Sequence, residues 1–482
     1  MGWSVPKAAL FEKPTRWSPW ICVCIFAVVY LCALVWVVFD TPSTGLYSLD
    51  SGHYLPLTGF TLVAILVGLT GYLLPLEIQS LMYFDWTHWQ ANTHAVWQKW
   101  THQHLCIVEA KNFSPDAELL FRLAGLEPAD HDVYAQETVG INIPTGGILI
   151  PGIFRFEALS RFLLMEMIPA MQGMSDHKVL SLVVQTTRHL SEEHAQCLEK
   201  IWQSLPLTSQ LDLHLLPAEL PFEGWNSPFI NAQNSVLILA FHYREPDDKL
   251  PEIATSLLLS PARLLKPDTQ KVSPQLFRAM PLNLKKLPED LLELRDMTQQ
   301  PAESLRLLWF SGLTDTLRQK LNAVVHDLKL PLRKEAPMGG QLDFDKGCGM
   351  YGSLSGWLML GAAADMITRG QGSQWVLAAA EESAWAVVVG DQAPVQADYH
   401  SQLPRDVYPA GCLVASLLFN LVLFWSLGHA FPDWLFSFWG AITLILTLVV
   451  TMIGSAVGLR IVLNRLLEPH FIRSAQSLRD TS

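Results

Sequence analysis

The chain has 482 residues, half of them hydrophobic and only 16% charged, with a formal charge of -12. That length allows about two or three domains, and so low a charged fraction excludes an ordinary soluble composition throughout. The acidic balance argues against phosphate backbones, and hence against nucleic acid as a partner.

In chain order, the first feature is an apolar run from Pro19 to Phe39, long enough to cross the hydrocarbon core. It is too long for the core of a signal peptide, and no small-residue cleavage site follows it. A second run covers residues 55–78, after a loop from Asp40 to Tyr54 that has no Lys or Arg. A third and a fourth cover residues 407–427 and 435–459, separated by the tight turn Gly428–Asp433. These runs predict two transmembrane hairpins, one in residues 1–80 and one, with a basic tail, in residues 393–482. Lys7, Lys13 and Arg16 precede the first span, and Arg460, Arg465 and Arg473 follow the fourth, whereas both hairpin loops lack basic residues. The positive-inside rule therefore predicts a multi-pass membrane protein with both termini and the whole middle cytoplasmic. Trp17, Trp20, Trp36, Trp434 and Trp439 lie near the predicted interfaces. Glu77 is expected at a helix end, within reach of the interface. With no charge pair or proton-relay carboxylate at membrane depth, the spans read as anchors and not as a transport path.

Residues 81–177 read as a membrane-proximal α+β segment. On a helix, Trp86, Trp89, Trp97 and Trp100 fall within roughly 80° of one another. That face is a candidate for a partner or for the lipid interface, and simple packing of the four rings explains it as well. His88, His94, His102 and His104 read as surface residues without a metal role. Residues 117–124 read as helix, Thr138–Ile150 as strand, turn and strand, and Arg155–Met171 as a helix with core methionines. Residues 178–266 form a first α/β half: strand Val179–Gln185, helix Ser191–Leu205, strand Leu211–Leu216, then paired strands Asn234–Tyr243 and Ile253–Leu259. Residues 267–300, punctuated by Pro and charge, read as a linker. Residues 301–392 repeat the design: strand Leu305–Phe310, helix Thr314–Leu328, helix Gly352–Thr368, then paired strands Gln374–Ala380 and Ala384–Val389. Strands alternating with helices predict an α/β sandwich built twice.

Two βα units that each end in a strand pair resemble the duplicated halves of the thiolase and β-ketoacyl synthase fold. Gly349-Met-Tyr-Gly-Ser-Leu-Ser-Gly356 resembles that family's G-H-x-x-A-A-x-G segment, glycine to glycine. The resemblance covers about Lys178 to Gly390. It implies a buried helix beginning near Gly352, packed closely through small residues, with Met350 filling the space of the family's histidine. The other catalytic positions do not carry over. Phe310-Ser-Gly-Leu-Thr314 stands where the family has H-G-T-G-T, and Gly224-Trp-Asn-Ser-Pro-Phe229, without cysteine, stands at the nucleophile loop. Losing the nucleophile and both histidines removes the activated thiolate and its oxyanion donors together. An emptied thiolase-like domain held at the inner membrane also resembles the lipase-adapter family of type VI secretion systems, whose members bring a toxic effector to the secretion spike.

Among other candidates, Cys348 is flanked by glycines near an expected helix start, where its pKa would fall; a small buried cysteine is the plainer reading. The seven cysteines are scattered, without a disulfide framework or zinc spacing. Asp343, Asp345, Glu381 and Glu382 read as solvated turns. Pro337–Gly340 and Thr145–Gly147 lack the context of a phosphate loop. No cofactor is expected. The sequence therefore predicts a non-enzymatic, membrane-anchored accessory protein whose acidic domain binds a protein partner, plausibly an effector of a type VI secretion system. The rivals are a membrane-tethered acyltransferase or hydrolase using Cys348, and an immunity or envelope-maintenance protein acting through its spans.

Overall fold

A computed structural model describes residues 2, 3, 5, 11–40, 51–116, 118–124, 142–145, 154–173, 179–221, 229–231, 233–245, 248–266, 273–334, 339–380, 383–392, 394, 407–435 and 437–481. The chain forms two compact units, Met1–Val5 with Val96–Ala397, and Pro6–Ala95 with Asp398–Ser482.

Among the described residues, the second unit holds four helices long and apolar enough to cross a membrane. Helix α1 (Pro19–Asp40) is apolar on every side, so it has no polar face to turn to water. Helix α2 (Ser51–Thr101) runs for 51 residues without a break at residue 80, where a domain boundary was expected. Between Glu77 and Thr101 there is no Gly or Pro to end it, so the helix runs on to Thr101.

The first unit is built on strands β1 (His104–Phe113), β2 (Val179–Thr186), β3 (Gln210–Leu215), β4 (Ser235–His242), β5 (Ile253–Ser260), β6 (Gln275–Phe277), β7 (Met280–Leu282), β8 (Leu305–Ser311), β9 (Gln341–Asp343), β10 (Ser373–Ala380) and β11 (Ser383–Gly390). They form one sheet in the order β3-β2-β4-β5-β1-β6-β11-β10-β8-β9, with β7 also paired to β11. Strand β2 runs parallel to β3 and β4, and β4 antiparallel to β5. The same directions recur at the other end, where β8 is parallel to β9 and β10, and β10 antiparallel to β11.

Its helices are α3 (Leu119–Leu123), α4 (Arg155–Gln172), α5 (Glu192–Ser204), α6 (Leu287–Asp296), α7 (Asp315–Asp327), α8 (Phe344–Cys348) and α9 (Ser355–Thr368). Helix α9 touches β1, β4 and β5 from one half of the sheet and β8, β10 and β11 from the other. The side-chain alternation of each strand explains this. On β4, Val236, Ile238 and Ala240 join the core around α9, while Leu237, Leu239 and Phe241 face α4 and α5. On β11, Trp385, Val387 and Val389 face the α9 core, and Ala384, Ala386 and Val388 face α6 and α7. Strands buried on both faces must be apolar throughout, as β4 and β5 are. The result is five layers: helices, half-sheet, α9, half-sheet, helices.

Two expectations change. Residues 267–300 are no linker over the described part: Gln275–Phe277 joins β1 to β11, and Leu287, Leu291 and Leu294 of α6 enter the core. Three-residue strands carry too little periodicity to be read from sequence. The N-terminus is also more than a membrane flank, since Trp3 is buried and its Nε1 donates to the Ala279 carbonyl at 3.1 Å. The stretch Thr138–Ile150 lies largely outside the described residues.

Helices α10 (Ala410–Ala430), α11 (Pro432–Leu435) and α12 (Phe438–Thr481) return to the second unit. Ser416 and Ser455 hydroxyls meet at 2.7 Å, and Asn420 Nδ2 donates to Thr451 Oγ1 at 2.6 Å, fastening α10 to α12 by the polar contacts favoured between apolar helices. Glu77 is not at a helix end. It sits inside α2, 6% exposed, and accepts the Cys412 N–H at 2.9 Å in the first turn of α10. A carboxylate there satisfies a free amide and complements the positive end of the helix.

Candidate functional site

The segment matched to the thiolase motif lies between α8 and α9, and its residues have diverging environments. Cys348 is the last residue of α8, so it faces the negative end of that helix and not an N-terminus. It is buried, and burial together with the charge of Asp345 pushes its thiol far above the ordinary range. Gly349 adopts φ +109°, open only to glycine, with the Leu250 side chain 3.1 Å from where a Cβ would sit. Met350 is 73% exposed, which corrects the expectation that its thioether fills a buried space. The positive-φ glycines on either side turn the chain outward at that residue. Gly352, at φ +59° with open space around it, is small for conformation and not for packing.

Helix α9 itself is central and buried from Ser355 through Ala364, Gly356 included. Its close approach falls at Gly361, where a Cβ would lie 1.9 Å from Thr255 Oγ1 and 2.3 Å from Asn112 Oδ1. Asn112 Nδ2 donates to the Gly361 carbonyl at 3.0 Å, and Thr255 Oγ1 donates to Asn112 Oδ1 at 2.7 Å. Backbone and strand side chains thus meet directly, which only glycine permits.

The segment Phe310–Thr314 is held by a carboxylate. Asp345 accepts from Ser311 Oγ and from the Gly312 N–H, each at 2.6 Å. Asp343, half a turn earlier, is buried beside Arg318 Nε at 3.1 Å, and burial raises its pKa. These are not solvated turn residues, as sequence reading held. They pin β9, α8 and the end of β8 together.

At the C-terminal end of β4 lies a polar group that sequence reading did not single out. His242 is buried, and its Nδ1 lies 2.7 Å from Thr187 Oγ1. Its Nε2 makes no hydrogen bond of good geometry, with the Leu250 backbone the polar group beside it. Burial, with Arg188 nearby, depresses its pKa against the opposing pull of Asp248 and Glu252, so the ring is neutral. Tyr351 packs on it with ring centroids 5.5 Å apart and donates to the Pro251 carbonyl at 2.9 Å. Glu252, fully buried, accepts from Arg155 through both oxygens and from the Ile143 N–H, a satisfied ion pair that ties α4 to β5. One histidine ending an otherwise apolar strand was the available signal.

The tryptophans divide between the units. Trp86 is buried, edge-on to Phe471 of α12 at 5.1 Å, and Trp89 packs on the same ring at 5.6 Å. Trp97 packs on the core under α6 and meets Trp100 at 5.4 Å. Trp100 is 37% exposed, with the Arg278 guanidinium 4.1 Å over its ring. His102 is buried, not the surface residue expected, with Nε2 at 2.8 Å from the Met297 carbonyl.

Among the described residues no group of three His, Cys, Asp or Glu could hold a metal ion. Residues 222–228, which contain most of the loop matched to the family's nucleophile, lie outside the described residues, as do Glu381 and Glu382. No family model matches the chain, and no curated protein matches it. Solved structures that resemble it include cerulenin-bound OleA of Xanthomonas campestris from a co-crystal, at 10% identity and TM-score 0.36, covering 60% of this chain and 96% of that one. The soaked cerulenin complex gives 12% and 0.37, covering 60% and 98%. Acetamide-bound OleA gives 10% and 0.35, again covering 60% and 98%. These neighbours have the thiolase-like, condensing-enzyme fold.

Proposed function

We propose that this chain is a non-enzymatic docking protein, anchored in a bacterial inner membrane by four helices, whose duplicated thiolase-like domain faces the cytoplasm. The observation that carries this reading is the state of Cys348. A nucleophile must be a thiolate within reach of its substrate, and this thiol is buried, protonated and at a helix C-terminus. Tyr351, the titratable ring coupled to it, is itself kept protonated by burial and so cannot take the thiol's proton. The Gly312 N–H, which could polarise a carbonyl, is already taken by Asp345. Matching strand order and directions at the two ends of the sheet support the duplication. Basic residues at the outer ends of α1 and α12, with an acidic middle, support the cytoplasmic placement.

The partner is a protein, and the resemblance to type VI lipase adapters suggests secretion cargo. Affinity purification of the full chain from its native membrane, against a strain lacking the chain, tests this. Stoichiometric recovery of an effector or secretion component supports it, and recovery of neither overturns it. A hydrolase or acyltransferase is the second reading, favoured by the buried Thr187–His242 hydrogen bond, a hydroxyl against an imidazole. Hydrolysis of an acyl ester that Thr187→Val abolishes would select it.

A further inference from the structure

The membrane unit contains a cavity of about 730 Å³, within the size range of ligand sites. It opens between the segment entering α1, the middle of α2 and the segment entering α10. We infer that it binds one anionic phospholipid, its phosphate on Lys13 and Arg16 and its upper acyl chain along Leu73 and Leu76. This rests on the reading that the four helices span a bilayer with their basic ends on the anionic leaflet.

Three observations lead there. The first is level. Trp17 and Tyr408 line the cavity at 61% and 74% exposure, immediately before two apolar helices begin, the position aromatic rings take among headgroups. The cavity therefore lies where phosphates give way to chains. The second is charge. Lys13 and Arg16 line it with exposed side chains, and among the described residues no ion pair or hydrogen bond holds either. Glu77, the acidic residue lining it, is occupied by the Cys412 N–H and the positive end of α10. Two cations with an engaged carboxylate favour an added anion. The third is shape. Lys13 and Arg16 line the same cavity as Leu73 and Leu76, so an amphiphile satisfies both, whereas a free phosphate would leave the leucines uncovered.

The test is native mass spectrometry of the full chain in detergent, titrated with phosphatidylglycerol or phosphatidylcholine. We expect a one-to-one phosphatidylglycerol adduct at least about tenfold tighter than that of phosphatidylcholine, a difference of about 1.4 kcal/mol. The double variant Lys13→Glu, Arg16→Glu should lose that preference while keeping the wild-type melting temperature, because both side chains are exposed. Millimolar glycerol 3-phosphate should not displace the lipid. Equal binding of the two lipids, an unchanged preference in the double variant, or displacement by glycerol 3-phosphate would overturn the inference. Alkaline carbonate extraction separates the two ideas. A chain released to the supernatant overturns the spanning reading and this site together, whereas a retained chain without lipid preference overturns the site alone.

Discussion

At Gly312 the backbone adopts φ +76°, and an added Cβ would lie 1.8 Å from the Ala379 carbonyl oxygen. Gly312→Ala should therefore cost on the order of 1–3 kcal/mol through strain at the end of β8, read as a lower melting temperature in detergent. Met350→Ala should change stability by no more than about 0.5 kcal/mol, since an exposed side chain leaves no cavity behind. The motif resemblance set Met350 where the family has a histidine, but spacing says nothing about which way a side chain turns, and the flanking positive-φ glycines decide that. His242 gives a pH signature. Its native pKa lies below the ordinary 6.5, burial being the main cause, so the unfolded chain binds a proton that the native state refuses. Stability is full above about pH 6.5 and falls as pH drops through that value toward the native pKa. His102 adds the same trend through burial. His242→Gln should flatten the fall of melting temperature between about pH 7 and pH 5.5; an unchanged slope would show that the ring is not held neutral.

Among the elements, α9 tests the packing account. Gly361→Ala should destabilise by about 1–3 kcal/mol, as overpacking does, because Thr255 and Asn112 occupy the Cβ position. A neutral result would mean that β1 and β5 can recede from the helix. The long strands and the four apolar helices were legible because each is a sustained apolar run of about eight residues or more. The extent of α2 was not, since hydropathy ends near Ile78 while nothing in the sequence stops the helix before Thr101. Strands β6 and β7 were invisible at three residues each, yet β6 joins β1 to β11. Of the site, the small residues of α9 were readable from composition. The pairing of His242 with Tyr351 was not, because it joins positions 109 apart in the chain.

For the molecule as a whole, basic residues at the outer ends of the first and fourth spans argue that the sheet unit faces the cytoplasm. A reporter inserted near Lys266, or fused after Ser482, should be active only in the cytoplasm, and an extracytoplasmic signal at Lys266 would overturn that orientation. The central proposal is that this domain carries out no covalent chemistry. The direct measurement is the intact mass of the purified full chain after incubation with a long-chain acyl-coenzyme A at neutral pH. The account predicts an unchanged mass, because Cys348 is buried and protonated. Addition of one acyl group, lost in Cys348→Ser, would contradict it.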